Sequence, residues 1–283
     1  MGVVNTNEIL SDAKQRRYAV GAFNVENMEF VQAVIWAAQE MDAPVIVQTS
    51  VNTLKYATPE MFNIMVKTCA DTVKVPVAIH LDHGSTLFNI MDCVKAGYKS
   101  VMFDGSLLPY ERNVEQTRLV VELCKSIGVS VEAELGAIAG KEGAPQESVS
   151  LYTAPEVAED FVNRTGVDSL AVSIGSVHGL YKAEPKLDYE RLSAIKSRVE
   201  APLVLHGASG LTVDHLRECT ARGITKVNIA TELRLAWTET VRRYMAENPK
   251  VFDPKKASKQ AREAVMKVVR EKILILGSNS MAR

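Results

Sequence analysis

No two of the four cysteines, Cys69, Cys93, Cys124 and Cys219, form a CxxC pair, and all four stand far apart in the chain. That spacing argues against a paired redox or zinc-finger motif and fits small buried hydrophobes in a reducing compartment. No apolar run approaches the roughly 20 residues needed to span a membrane. Residues 1–7 carry no charged-then-apolar signal pattern. Neither sign of charge is in excess: 33 basic side chains face 34 acidic ones, for a net charge of −1. A nucleic-acid or membrane surface would need a basic excess on one face, so neither partner is expected. Linkers and low-complexity stretches are missing as well. The expectation is one cytoplasmic domain covering residues 1–283.

What is present is the balance of an ordinary globular protein, 47 % hydrophobic and 24 % charged. A chain of this length can bury a large core without covalent staples. Eight short runs are apolar and rich in β-branched residues: 18–25, 43–50, 75–83, 100–106, 130–136, 168–175, 201–209 and 226–231. Most are near-continuous, the mark of strands buried on both faces of a parallel sheet. A helix-like stretch follows each, with start signals at Asn27, Thr58-Pro59, Ser85 and Thr212, and stops at Gly97, Gly128, Gly166 and Gly223. Eight strand–helix units predict an α/β fold, a (β/α)8 TIM barrel. No GxGxxG follows the first strand, which counts against an open dinucleotide-binding sheet. Residues 5–16 predict an extra N-terminal helix able to plug the barrel bottom, and 253–276 a C-terminal helical extension.

Barrel chemistry sits at the C-terminal ends of the strands. Those ends carry Asn24, Gln48 and Ser50, then His80, Asp82 and His83, then Asp104, Glu132 and Glu134, His178, His206, and finally Asn228 and Thr231. Four of the five histidines belong to this set; the fifth, His215, falls in the helix after strand seven. One such histidine is more often a packed or backbone-bonded residue, but four at one end point to a metal site. Three imidazoles with an open position suit catalytic zinc, although spacing leaves His80 and His83 as alternatives. The turn Gly207-Ala208-Ser209-Gly210 and the segment 228–231 suit a phosphate held by backbone N–H groups and a helix N-terminus. A Schiff-base lysine is the other route to chemistry beside a carbonyl. Lys226 opens the eighth run, away from the mouth, and Lys182 lies in a loop, so the metal route is preferred. The connections 137–153 and 176–186 are long enough to be lids or binding loops.

The segments His80-Leu81-Asp82-His83-Gly84, Val131-Glu132-Ala133-Glu134-Leu135-Gly136, Gly175-Ser176-Val177-His178-Gly179, Leu205-His206-Gly207-Ala208-Ser209 and Lys226-Val227-Asn228-Ile229-Ala230-Thr231 resemble the class II fructose- and tagatose-bisphosphate aldolases, in order along nearly the whole chain. The resemblance implies His83, His178 and His206 as zinc ligands, with Glu134 a carboxylate near the metal. It implies Asp82 as the acid/base at the C4 hydroxyl and Glu142, in the glycine-containing loop, as the group that moves the proton at C3. Gly179, Gly207, Ser209, Asn228 and Thr231 match positions around dihydroxyacetone phosphate, with Lys182 assisting. A potassium or sodium ion near Val177, Gly179, Gly207 and Ser209 is implied too. Asn24 and Ser50, polar ends of the first two strands, complete the candidate substrate-binding set. The chain carries Lys141-Glu142 where some relatives have paired acids. It also has Ala230 where some have Asp or Asn, a form closer to the tagatose branch.

The implied reaction is reversible cleavage of fructose- or tagatose-1,6-bisphosphate to dihydroxyacetone phosphate and glyceraldehyde 3-phosphate through a zinc-stabilised enediolate. Relatives suggest a homodimer or homotetramer, with an accessory subunit a further partner. The competing readings are an aldolase for a related phosphorylated keto-sugar acid, a zinc barrel hydrolase and a non-catalytic partner subunit. Such a hydrolase would want a His-x-His pair on strand one, where residues 18–25 hold no histidine, and a non-catalytic barrel would be expected to lose the metal histidines.

Overall fold

In the computed structural model, which describes residues 2–136, 152–179, 181 and 184–282, eight parallel strands close a barrel in sequence order. They are β1 (Val20–Asn24), β2 (Val45–Ser50), β3 (Val77–Gly84), β4 (Ser100–Phe103), β5 (Ser130–Leu135), β6 (Ser169–Val172), β7 (Leu203–Leu205) and β8 (Ile224–Ile229). The helices are α1 (Thr6–Arg16), α2 (Met28–Glu40), α3 (Val51–Tyr56), α4 (Pro59–Ala70), α5 (Leu87–Lys95), α6 (Tyr110–Lys125), α7 (Pro155–Thr165), α8 (Tyr189–Arg198), α9 (Val213–Ala221), α10 (Thr231–Glu247) and α11 (Pro254–Leu276).

The near-continuous apolar runs have the expected cause. Outward side chains such as Phe23, Val47, Ile79, Leu81 and Val101 are fully buried in the main core with the surrounding helices. Inward side chains form layers. Val20, Ala22, Ile46 and Ala78 make a small apolar cluster with Ile9, Leu10 and Ala13 of α1. The next layer toward the mouth is polar, because Asn24 pairs with Gln48, Gln48 with His80, and His80 with Ser100.

The N-terminal helix plugs the bottom, as its position before β1 predicts. Asn5 and Glu8 form a capping box at its start. Thr6 Oγ1 then lies 2.9 Å from Ser100 Oγ and 2.6 Å from Ser130 Oγ, the first residues of β4 and β5. The C-terminal extension is the 23-residue α11, capped by Asp253 and ended by Gly277 at φ 70°. It packs on α2 and α10, and its last carbonyl, Leu276 O, accepts from Ala19 N just before β1.

Several boundaries differ from expectation. Strand seven is only Leu203–Leu205, so the 206–209 turn begins at His206. An unexpected short helix, α3, follows β2, with Ser50 Oγ accepting from Thr53 N as its cap. Thr86, and not Ser85, caps α5. Lys226 is the third residue of β8 and fully buried, not the residue that opens the strand. The four cysteines form no disulfide, and three of them are buried. Among the described residues no helix is long and apolar enough to cross a membrane.

Candidate active site

Strict alternation along β3 would point His83 outward with Ile79 and Leu81. The register with β4 shifts between Leu81 and Gly84, and His83 takes a left-handed backbone at φ 53°. Such a conformation is uncommon outside glycine and costs about 1–3 kcal/mol, which the surrounding packing must offset. Gly84 makes the bulge possible, since a Cβ there would stand 2.7 Å from Met102 O. The result delivers Asp82 and His83, adjacent in sequence, to the same cleft.

Three imidazoles meet there. The ring centroids of His83 lie 4.8 Å from those of His206 and 5.0 Å from those of His178, and the last two are 5.9 Å apart. One ligand atom from each lies within 4.8 Å of the others. His206 Nδ1 and His83 Nε2 are 3.2 Å apart. Two nitrogens sharing a tetrahedral ion at about 2.0–2.1 Å stand about 3.3 Å apart, so the spacing is that of a common ligand sphere. The far side of each of these two rings is committed. His83 Nδ1 is 2.7 Å from Asp104 Oδ2, and His206 Nε2 is 2.9 Å from Glu132 Oε1. When both rings are neutral, donation to those carboxylates leaves His83 Nε2 and His206 Nδ1 as the lone pairs facing each other. The buried Glu134 Oε2 stands 3.6 Å from His206 Nδ1 and 3.9 Å from His83 Nδ1. Nitrogen donors beside carboxylates fit a divalent metal ion, held by the three histidines with Glu134 close by.

The two rings differ electrostatically. Burial alone would lower the pKa of His83, but the charge of Asp82, the ring's hydrogen bond to Asp104 and the charge of Glu134 outweigh it and hold the ring at about 9. Burial, then the charge on His83, pushes His206 well below its ordinary value. Asp82 is pinned by two amides: Asn24 Nδ2 donates to Oδ2 at 2.9 Å and Asn228 Nδ2 to Oδ1 at 3.1 Å, while Asn24 Oδ1 accepts from Gln48 Nε2 at 2.8 Å. Burial would raise the Asp82 pKa, yet the charges of His83, His206 and Lys226 and the Asn24 bond bring it to about 2. Its Oδ1 lies 3.8 Å from His83 Nε2.

His80 does not join the other three histidines at the mouth. It is 1 % exposed, and its Nδ1 bonds to Ser100 Oγ at 2.7 Å, one layer down, because strand tilt pairs it with the first residue of β4. Beside it lies a buried ion pair, Lys226 Nζ to Glu132 Oε2 at 2.7 Å. The pair reaches the mouth through Glu132 Oε1 and His206. Lys226 thus serves the interior and not a Schiff base at the mouth.

The cleft has a volume of about 870 Å³ and takes in Asn24, Ser50, Asp82, His83, His178, Gly179, Gly207, Ser209, Asn228 and Thr231. Gly207, at φ 67°, lets two backbones touch, since a Cβ there would be 2.5 Å from Val177 O. Tyr181 Oη accepts from Val177 N at 3.1 Å and donates to Gly207 O at 2.7 Å, fastening the two turns. Nothing in the sequence motifs singled out Tyr181, whose role depends on the meeting of two loops. Ala230 has no side-chain cap for α10; Ser209 Oγ, from the turn after the neighbouring β7, supplies one, accepting from Thr231 N at 3.2 Å and Ala230 N at 3.4 Å. Asp104, noted only as a strand end, proves to orient His83. Glu142 and Lys182 lie outside the described residues.

The family model described as "Fructose-bisphosphate aldolase class-II" matches residues 4–281. Among solved structures, the YdjI aldolase from Escherichia coli K12 is 33 % identical, with a TM-score of 0.88 and coverage of 99 % of this chain and 100 % of that one. The fructose-bisphosphate aldolase (Fba) from Campylobacter jejuni is 25 % identical, with a TM-score of 0.87 and coverage of 99 % and 97 %.

Proposed function

The chain belongs to the class II fructose-bisphosphate aldolase family, and from that membership we propose that it cleaves a ketose 1,6-bisphosphate of fructose or tagatose configuration into dihydroxyacetone phosphate and glyceraldehyde 3-phosphate, using zinc. The observation that carries this reading is the meeting of three imidazoles beside the doubly held carboxylate of Asp82. A zinc barrel hydrolase would be expected to carry a His-x-His pair on its first strand, and β1 (Val20–Asn24) holds no histidine.

His83, His178 and His206 would hold the ion, with Glu134 in reach. When bound, a divalent ion supplies Lewis-acid stabilisation of the negative charge that develops on the C2 oxygen as the C3–C4 bond breaks. Asp82, ionised at neutral pH, accepts the proton of the C4 hydroxyl; the C4 oxygen becomes the carbonyl of glyceraldehyde 3-phosphate and the C3–C4 electron pair stays with C3. Glu142 then delivers a proton to C3, completing dihydroxyacetone phosphate. The C1 phosphate sits against Gly179, Gly207, Ser209 and Thr231, where backbone N–H groups and the α10 N-terminus favour an anion. Asn228 contributes by aiming Asp82, and Lys182 assists at the phosphate. Asn24 and Ser50 face the remainder of the sugar; Val177, Gly179, Gly207 and Ser209 would hold a potassium or sodium ion.

The test is a coupled triose-phosphate assay with both bisphosphates, with and without added zinc. Cleavage that a chelator abolishes and zinc restores is expected, and the faster epimer settles the substrate. Inactivation by borohydride that requires substrate would reveal a Schiff base and overturn the reading.

A further inference from the structure

Lys272 lies far along α11, yet its side chain is only 8 % exposed. A lysine ammonium this buried requires a partner. It has Glu232, in the first turn of α10, whose two carboxylate oxygens it meets at 2.8 and 2.7 Å. Glu232 Oε1 also accepts from Gly210 N at 2.9 Å. Gly210 and Glu232 adjoin the cleft-wall segments 208–209 and 230–231, which Ser209 Oγ ties together. A chain of contacts thus runs from the C-terminal helix to the back of the phosphate side of the cleft.

A carboxylate in the first turn stabilises a helix, because it answers the partial positive charge of the N-terminus. At this N-terminus the same charge opposes the phosphate that the partial positive charge of the helix start would attract. Lys272 removes the conflict: Glu232 keeps its bond to Gly210 N while its charge is cancelled from behind. We propose that Lys272 is a positioning residue for the phosphate side of the cleft, neutralising Glu232 so that the 207–210 turn and the start of α10 accept a phosphate dianion. The placing of the phosphate rests on the proposed function; the charge argument adds a role for the C-terminal helix.

The test separates this electrostatic role from a simple structural clamp by sign. Glu232→Gln keeps an acceptor for Gly210 N, removes the negative charge and leaves Lys272 positive. Inorganic phosphate is titrated calorimetrically into the full-length protein. Glu232→Gln is expected to bind phosphate about threefold or more tighter, Lys272→Met about tenfold weaker, and the double variant to return to within about twofold of the unaltered chain. In the aldol assay Lys272→Met is expected to raise KM by a similar factor with kcat nearly unchanged. Where Lys272→Met fails to fold, Glu232→Gln alone decides. Equal or weaker phosphate binding by Glu232→Gln overturns the proposal, as does no phosphate binding by the unaltered chain. Phosphate binding needs no turnover, so failure of the cleavage assay would leave this measurement standing.

Discussion

The two ends of the barrel use the same eight strands and solve opposite problems. At the bottom, α1 closes the opening with Ile9, Leu10 and Ala13 against Val20, Ala22, Ile46 and Ala78, and the buried hydroxyls of Thr6, Ser100 and Ser130 satisfy one another. At the top, Asp82, Asp104 and Glu134 are nearly inaccessible around three imidazoles, the buried Lys226–Glu132 pair lies beneath them, and His83 takes a strained backbone. Buried charge on this scale destabilises a fold unless each group is paired, so it persists where the arrangement has a use. The bottom is built for stability and the top for chemistry, with the Lys226–Glu132 pair as the layer between them.

That contrast can be broken from the top first. His83→Ala removes one of three imidazoles and is expected to reduce bound metal, measured by atomic emission on the purified protein, to near zero together with all cleavage. Asp82→Asn should keep the metal but lower kcat by about 10²–10⁴-fold, the usual contribution of a positioned proton acceptor. Retained activity in that variant would move the base elsewhere.

Loading of the metal-free protein should depend on pH. His83, with its pKa raised to about 9, is protonated at neutral pH and must lose that proton to become a ligand, whereas His206 is already neutral. Apparent metal affinity should therefore rise by up to about tenfold per pH unit as pH increases toward 9 and level off above it. Calorimetry in buffers of differing ionisation enthalpy should report about one proton released per ion at pH 7. Independence of pH would show that His83 holds no proton to release when the ion binds.

Glu132→Gln tests the layer between. It leaves Lys226 buried beside a neutral group and weakens the hold on His206. Expected are a loss of about 3–5 kcal/mol in unfolding free energy and metal binding weakened about 10–100-fold. A change in stability alone would confine the pair to packing. The smallest catalytic effect belongs to the bottom: Leu10→Ala should lower stability by about 2–5 kcal/mol in urea melts while kcat stays within error.

Periodicity alone carried the barrel. Parallel strands shielded on both faces read as unbroken apolar runs, and the glycines after the helices marked their ends, so eight units could be counted from residues 18 to 246. Interior position was harder to see. Lys226 looked like a strand opener because β8 begins two residues earlier, and the mate that makes it tolerable, Glu132, is 94 residues away. Tyr181 was invisible for a similar reason, since its bonds join two loops that share no local pattern.

The order and hydrophobic spacing of the residues by themselves determined a closed eightfold barrel, and its strand ends gathered histidine, carboxylate and glycine on one rim. Choosing between His80 and His83 on local grounds was beyond them, because alternation is a property of a regular strand and β3 is irregular. The bulge between Leu81 and Gly84, set by pairing with β4 and by the carbonyl of Met102 against Gly84, turns His83 into the cleft, and strand tilt lowers His80 to Ser100. Which donors converge is fixed by contacts between distant segments, and only the folded chain brings those segments together.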